Sequence, residues 1–203
     1  GTLTDNWISL IDGDWSNGSN WSLGRAPLAT EDATINVATN PTIFVTTASQ
    51  AARSLTSAEH LTVSAGSLDL SGASSIGGTL MISGGTLTAG GATSTSGFVL
   101  NGGTLSGGGV VTVSGPAILA SGVLNGNLTL AAGPAATISG ATITGTGTLT
   151  NQRTLTLSNA TVPFNLSNSG TLTLFDSSSA INGALTNSGT ITVQAQVGFP
   201  VLT

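Results

Sequence analysis

The sequence predicts an all-β fold, a single-stranded right-handed parallel β-helix of about seven to nine coils, each of roughly 17–20 residues. Three features lead there: a repeat, a strict two-residue alternation, and a composition poor in charge. Between Gly147 and Val193 the chain reads GTLTNQRTLTLSNATVPFNLSNSGTLTLFDSSSAINGALTNSGTITV. Leu149, Leu166 and Leu185 recur at two nearly equal steps. Leu155, Leu172 and Ile191 take the same two steps, as do Asn151, Asn168 and Asn187. Within each unit Thr154, Thr156, Thr171, Thr173, Thr190 and Thr192 alternate with apolar residues. That is the period of a strand with one buried face. Only 5% of residues are charged and 39% are hydrophobic, with Gly, Asn, Ser and Thr filling the gap. Regularly placed Leu, Ile and Val argue against a disordered chain of the same polarity.

Coils stacked as a parallel sheet repeat every 4.8 Å or so, giving a rod roughly 35 to 45 Å long. Leu155, Leu172 and Ile191 then form an inward apolar column, and Asn151, Asn168 and Asn187 a ladder of side-chain amides. The 203 residues suit one domain, with 1–35 as a Trp/Asp-rich capping segment and 36–203 as the coils.

Residues 1–35 hold all three tryptophans, Trp7, Trp15 and Trp21, and five of the eight acids. A solenoid's first coil has an open apolar end, and the three indoles are expected to cover it. The competing reading is a carbohydrate-stacking platform. Asp5, Asp12 and Asp14 match no twelve-residue calcium loop and read as turn residues. The segment GDWSNGSNWSLGRAPLATEDATI resembles the W…NW…G..P…D..I head segment of many secreted bacterial β-helix proteins. The coil region resembles autotransporter passengers and filamentous adhesins, with their G.LTN.GTLTV coils. That resemblance implies a secreted or cell-surface protein. No signal-peptide pattern heads the chain, so export implies a mature chain or a fragment.

Thr42-Ile43-Phe44-Val45 reads as a strand, with Pro41 at its start. Ala51 to Leu55 reads as a helical turn or a further coil. His60 reads as an exposed side chain without a catalytic or ligating partner. From Leu61 the coils resume, and Leu61, Leu80 and Phe98 keep nearly the same step as the later leucines. Two steps are irregular: a short one from Phe98 to Val111, and a long one from Leu128 to Leu155. The longer one calls for an extra segment, for which Ala141-Thr142-Ile143 is the candidate.

The net charge of −5, with Arg25, Arg53 and Arg153 the only strong cations, excludes the basic stripe that nucleic acid requires. No apolar run approaches the ~20 residues of a membrane-spanning helix. From Leu61 to Thr203 the charges are Asp69, Arg153 and Asp176, which supply no carboxylate pair at glycosidase spacing. Serines without a base nearby are not nucleophiles. The sequence sites Asn17, Asn20, Asn127, Asn159 and Asn165 match N-x-S/T, which this composition produces by chance.

The expectation is therefore a non-catalytic extracellular structural or adhesive module with no cofactor or metal. It would be a stalk, or a filament subunit associating head-to-tail or with neighbouring segments of a longer chain, with cell-surface glycans as a further partner class. Two alternatives stand beside it. An ice-binding face would use the outward Thr154/Thr156, Thr171/Thr173 and Thr190/Thr192 pairs, interrupted in earlier coils by Met81, Val110 and Asn127. The other is a polysaccharide-binding or polysaccharide-cleaving β-helix. The coils run to Ile191-Thr192-Val193, after which Val197, Phe199 and Val201 would either fold back as a cap or leave that end open to another molecule.

Overall fold

The computed structural model describes residues 1–194. The chain is a parallel β-solenoid of about eight turns, with no α-helix among the described residues. Each full coil contributes a strand to three parallel sheets. Sheet 1 stacks Thr4–Asn6, Asp32–Ile35, Ser54–Ser57, the start of Ser74–Ile82, the start of Thr93–Ser106, Val110–Val113, Asn127–Leu130, Thr148–Asn151, Asn165–Asn168 and Leu185–Asn187. Sheet 2 runs from Gly13–Asp14 through Thr42–Val45 and His60–Val63 to Thr154–Ser158, Thr171–Leu174 and Thr190–Val193. Sheet 3 begins at Gln50–Ala52 and ends at Ala180–Ile181. Residues 1–35 belong to the same stack: Thr4–Asn6 and Gly13–Asp14 pair in parallel with the strands that follow them.

The register removes both irregular steps. The inward column of sheet 2 is Ile43, Leu61, Leu80, Phe98, Ala117, Ala136, Leu155, Leu172 and Ile191. Its members advance by nearly equal steps throughout. Two alanines stand where the sequence pattern leads one to look for a large apolar residue. Val111 does not follow Phe98 at all; it lies in sheet 1, between Thr93 and Leu128. No extra coil is inserted after Leu128, since Ala136–Thr144 supplies the ordinary second and third strands of its coil. Ala51 to Leu55 is likewise strand, split between Gln50–Ala52 and Ser54–Ser57, and not a helical turn.

Alternation follows from the pleat: Leu61, Val63, Leu80, Ile82, Leu155 and Leu172 are at most 1% exposed, while the residues between them face outward. One corner shows why glycine is required. Gly66 has φ 63°, and a Cβ there would lie 2.0 Å from the carbonyl oxygen of Thr47 in the previous coil. In the last coil Leu185, Ile191 and Val193 are 40%, 41% and 71% exposed. Val197, Phe199 and Val201 lie outside the described residues.

Candidate functional site

Four features bear on function: the tryptophan cluster, the amide ladder, the outer faces, and the corner where sheet 1 turns into sheet 2. The tryptophans are buried, at 3% exposure for Trp7, 0% for Trp15 and 1% for Trp21. Trp21 meets Trp7 and Trp15 edge-on, with ring centroids 5.2 and 4.8 Å apart. Its indole N–H donates to the Trp15 carbonyl at 2.7 Å, and that of Trp7 to the Ser9 carbonyl. No indole face is open for a sugar to stack on. The nearby acids each accept hydrogen bonds from the chain itself. Asp5 accepts from the Ser22 hydroxyl and the Leu23 amide, and Asp12 from the Thr42 amide. Burial would raise the Asp14 carboxyl, but hydrogen bonds from Ser16 and Thr46 outweigh it and hold the group low. Arg25 grips Glu31 through two bonds of 2.7 and 2.6 Å, and Arg53 pairs with Asp32.

Asn151, Asn168 and Asn187 do form a ladder. The Asn151 side-chain amide donates to Asn168 Oδ1 at 2.7 Å, and Asn168 donates to Asn187 Oδ1 at 2.7 Å. Asn151 and Asn168 are 0% and 1% exposed, so the ladder faces inward at the end of each sheet 1 strand. Each asparagine also donates to the carbonyl two positions ahead: Arg153, Gly170 and Gly189. Earlier coils fill the same column with Ile35, Ser57, Ile76, Thr95, Val113 and Leu130.

Two charged side chains lie inside this corner, and the sequence reading missed both roles. Glu59, next to His60, is 1% exposed and accepts from the Val37 amide at 2.8 Å. Arg153 is 5% exposed and donates to the carbonyls of Ala131, Pro134, Gly115 and Val113, with no carboxylate paired to it among the described residues. Burial pushes its guanidinium below the ordinary value. Both residues immediately precede a sheet 2 strand and reach back to the preceding corner, across residues 36–41 and 131–135, where the connection is long. A long polar side chain there satisfies loop backbone that the next coil's main chain cannot reach.

On the outer face of sheet 2, Thr154, Thr171 and Thr190 are in register, as are Thr156, Thr173 and Thr192. The second column continues back through Thr137, Ile118, Val99, Met81 and Thr62. Met81 does interrupt the threonines, together with Val99 and Ile118. Val110 and Asn127 do not, because they lie on sheet 1. Sheet 1 itself carries an unbroken outward hydroxyl column: Thr34, Thr56, Ser75, Ser94, Thr112, Thr129, Thr150, Ser167 and Thr186. Counting threonines alone hides it, because serine takes three of the nine places.

The corner between sheets 1 and 2 is indented on its sheet 2 side. A groove of about 390 Å³ runs along it, from Asn40 and His60 past Gly97 to Pro116, Val99 and Ile118. His60 is half-buried rather than exposed. Its Nδ1 accepts from the Thr79 amide at 2.8 Å, so in the neutral ring the N–H is at Nε2, 3.5 Å from the Asn40 amide. The notch exists because the outward position between Thr79 and Pro116 is Gly97. The three atoms nearest a Cβ there all belong to the Thr79 side chain, with Oγ1 at 2.8 Å. Around the ridge, Ser75, Ser94, Ser96 and Ser114 line a shallower depression of about 270 Å³. No protein-family model matches this chain, and neither curated proteins nor solved structures give a match.

Proposed function

We propose that this chain is a non-catalytic extracellular structural or adhesive module, a stalk or a subunit of a self-associating filament. The observation that carries it is the continuity of the inward columns from Ile43 to Ile191, which makes the coils one hydrogen-bonded rod. Stacked coils bind only their neighbours, so length is added without a new fold. Weak charge, −5 over 203 residues, puts little repulsion between rods. The resemblance of the head segment and the coils to secreted β-helix proteins supports an extracellular location.

Light scattering over a concentration series tests the filament form. Mass that grows with concentration supports self-association, and a monomer at every concentration leaves the stalk. Release of reducing ends from a polysaccharide would overturn the non-catalytic reading. A second reading, ice binding, is favoured by one observation, the unbroken hydroxyl column from Thr34 to Thr186, whose sheet 1 strands carry no charged residue from Ser75 onward. Inhibition of ice recrystallisation, abolished by Thr112→Lys with Thr129→Lys, would move the function there.

A further inference from the structure

We propose that the groove along the sheet 1–sheet 2 corner, between His60 and Ile118, binds a neutral saccharide chain. Three properties point to that class. First, the groove is two-sided in chemistry. Pro116, Val99 and Ile118 make an apolar wall, with Ile118 47% exposed. His60, Asn40 and Ser96 place polar groups along the rim. A pyranose has that division, with C–H faces and a hydroxyl edge that both donates and accepts. The His60 Nε2–H donates, and the Asn40 amide does both.

Second, no Asp, Glu, Lys or Arg among the described residues lines the groove. Glu59, beside His60 in sequence, is turned inward to the Val37 amide. A phosphate or uronate would find no countercharge, whereas a neutral ligand needs none. Third, the lining residues come from successive coils in register, 58–60, 77–79, 96–99 and 116–118. The groove thus runs along the rod axis across four coils, at about 4.8 Å per coil, as a linear polymer would require. Its volume falls within the range of small-ligand sites, roughly 300–1,000 Å³.

The rim is held still before any ligand arrives. The Thr79 amide fixes the His60 ring, and the Ser96 hydroxyl is tied to the Gly77 and Gly78 carbonyls. Preorganised groups lose little freedom on binding. Gly97 is the specificity-determining position, because it lines the groove and a Cβ there would crowd the Thr79 side chain beside it.

The test is to probe an array of neutral and acidic glycans with the full chain, then titrate the best neutral oligosaccharide by calorimetry. Saturable binding of a neutral glycan is expected, weakened about tenfold or more by both Gly97→Leu and Ile118→Asp. Ile118→Asp adds a charge at an exposed position and keeps the test alive should Gly97→Leu fail to fold. Thr186→Asp, on sheet 1, should bind as the parent does. No glycan retained above background, acidic glycans preferred, or binding unchanged in both groove variants would each overturn the proposal. A groove that binds nothing would leave the rod reading untouched.

Discussion

The same corner is built in two ways along the rod. In the last three coils the sheet 1 strand ends in Asn151, Asn168 and Asn187, whose amides join one another and the corner carbonyls. In the middle coils that position holds Ile76, Thr95 and Val113. Thr95 bonds the carbonyls of Gly97 and Gly78, but its column neighbours have no polar atom to pass the chain on. Arg153 sits between the two regions and spans them, reaching from the first amide coil to the Gly115 and Val113 carbonyls. The amide corner links side chain to side chain along successive coils, whereas the hydroxyls of the glycine corner reach only main-chain carbonyls of their own coil and the one before, and leave a notch outside. Coil-to-coil linkage suits a rod, and a notch suits a ligand.

The sharpest way to break this comparison is in the shared core. Leu172→Asp puts an unpaired carboxylate at a position 0% exposed and should cost about 3–5 kcal/mol by denaturant unfolding. Thr171→Asp, half-exposed on the outer face, should stay within about 0.5 kcal/mol of the parent. Equal cost at the two would mean the strand does not face as described.

Replacing single corner residues sharpens it further. Asn168→Ala removes donors to Asn187 Oδ1, Gly170 O and Thr190 O, and takes from the buried Asn151 amide its side-chain acceptor, leaving it the Arg153 and Thr171 carbonyls. Its expected cost is about 2–3 kcal/mol. Thr95→Val loses only the hydroxyl bonds to one corner and the coil before it, for about 1 kcal/mol. Urea melts of the two variants check the order, and a Thr95 variant hit as hard as the Asn168 variant would erase the distinction.

A smaller effect is expected in the first coils as pH falls. The Arg25 bridge holds Glu31 below the usual carboxylate range, and Arg53, then Ser54, do the same for Asp32. Depressed carboxyl groups add stability above their unfolded value near pH 4, and lose it as pH falls through the lower folded value. Tryptophan fluorescence, which reports only the first coil, should therefore change in the range below about pH 4. A tryptophan signal unchanged down to about pH 2 would remove the bridges from the account.

Much of this was legible in the sequence, because in a solenoid a local repeat is also a spatial neighbour. Leu155, Leu172, Ile191 and the three asparagines repeat at a shared step and stack as that step implies. What hid the middle coils was size: Ala117 and Ala136 occupy core positions without looking like core. The sheet 1 hydroxyl column was obscured by the exchange of serine for threonine. The groove was illegible for another reason, since it is made by an absence, the missing side chain of Gly97. His60 gave no sign of its bond to Thr79, which lies one coil away.

The register through the middle coils is the central claim, and cysteine cross-linking tests it most directly because the chain has no cysteine of its own. In the structure Val99 is in register with Ile118 on sheet 2. Aligning Phe98 with Val111, as the repeated apolar residues suggest, would instead put Val99 beside Thr112. Adjacent parallel strands bring in-register Cα atoms within disulfide range, about 4.4–6.8 Å. Val99→Cys with Ile118→Cys should oxidise readily to an intramolecular disulfide, and Val99→Cys with Thr112→Cys should remain reduced. A disulfide between positions 99 and 112, with none between 99 and 118, would contradict the stacking of the coils and everything built on it.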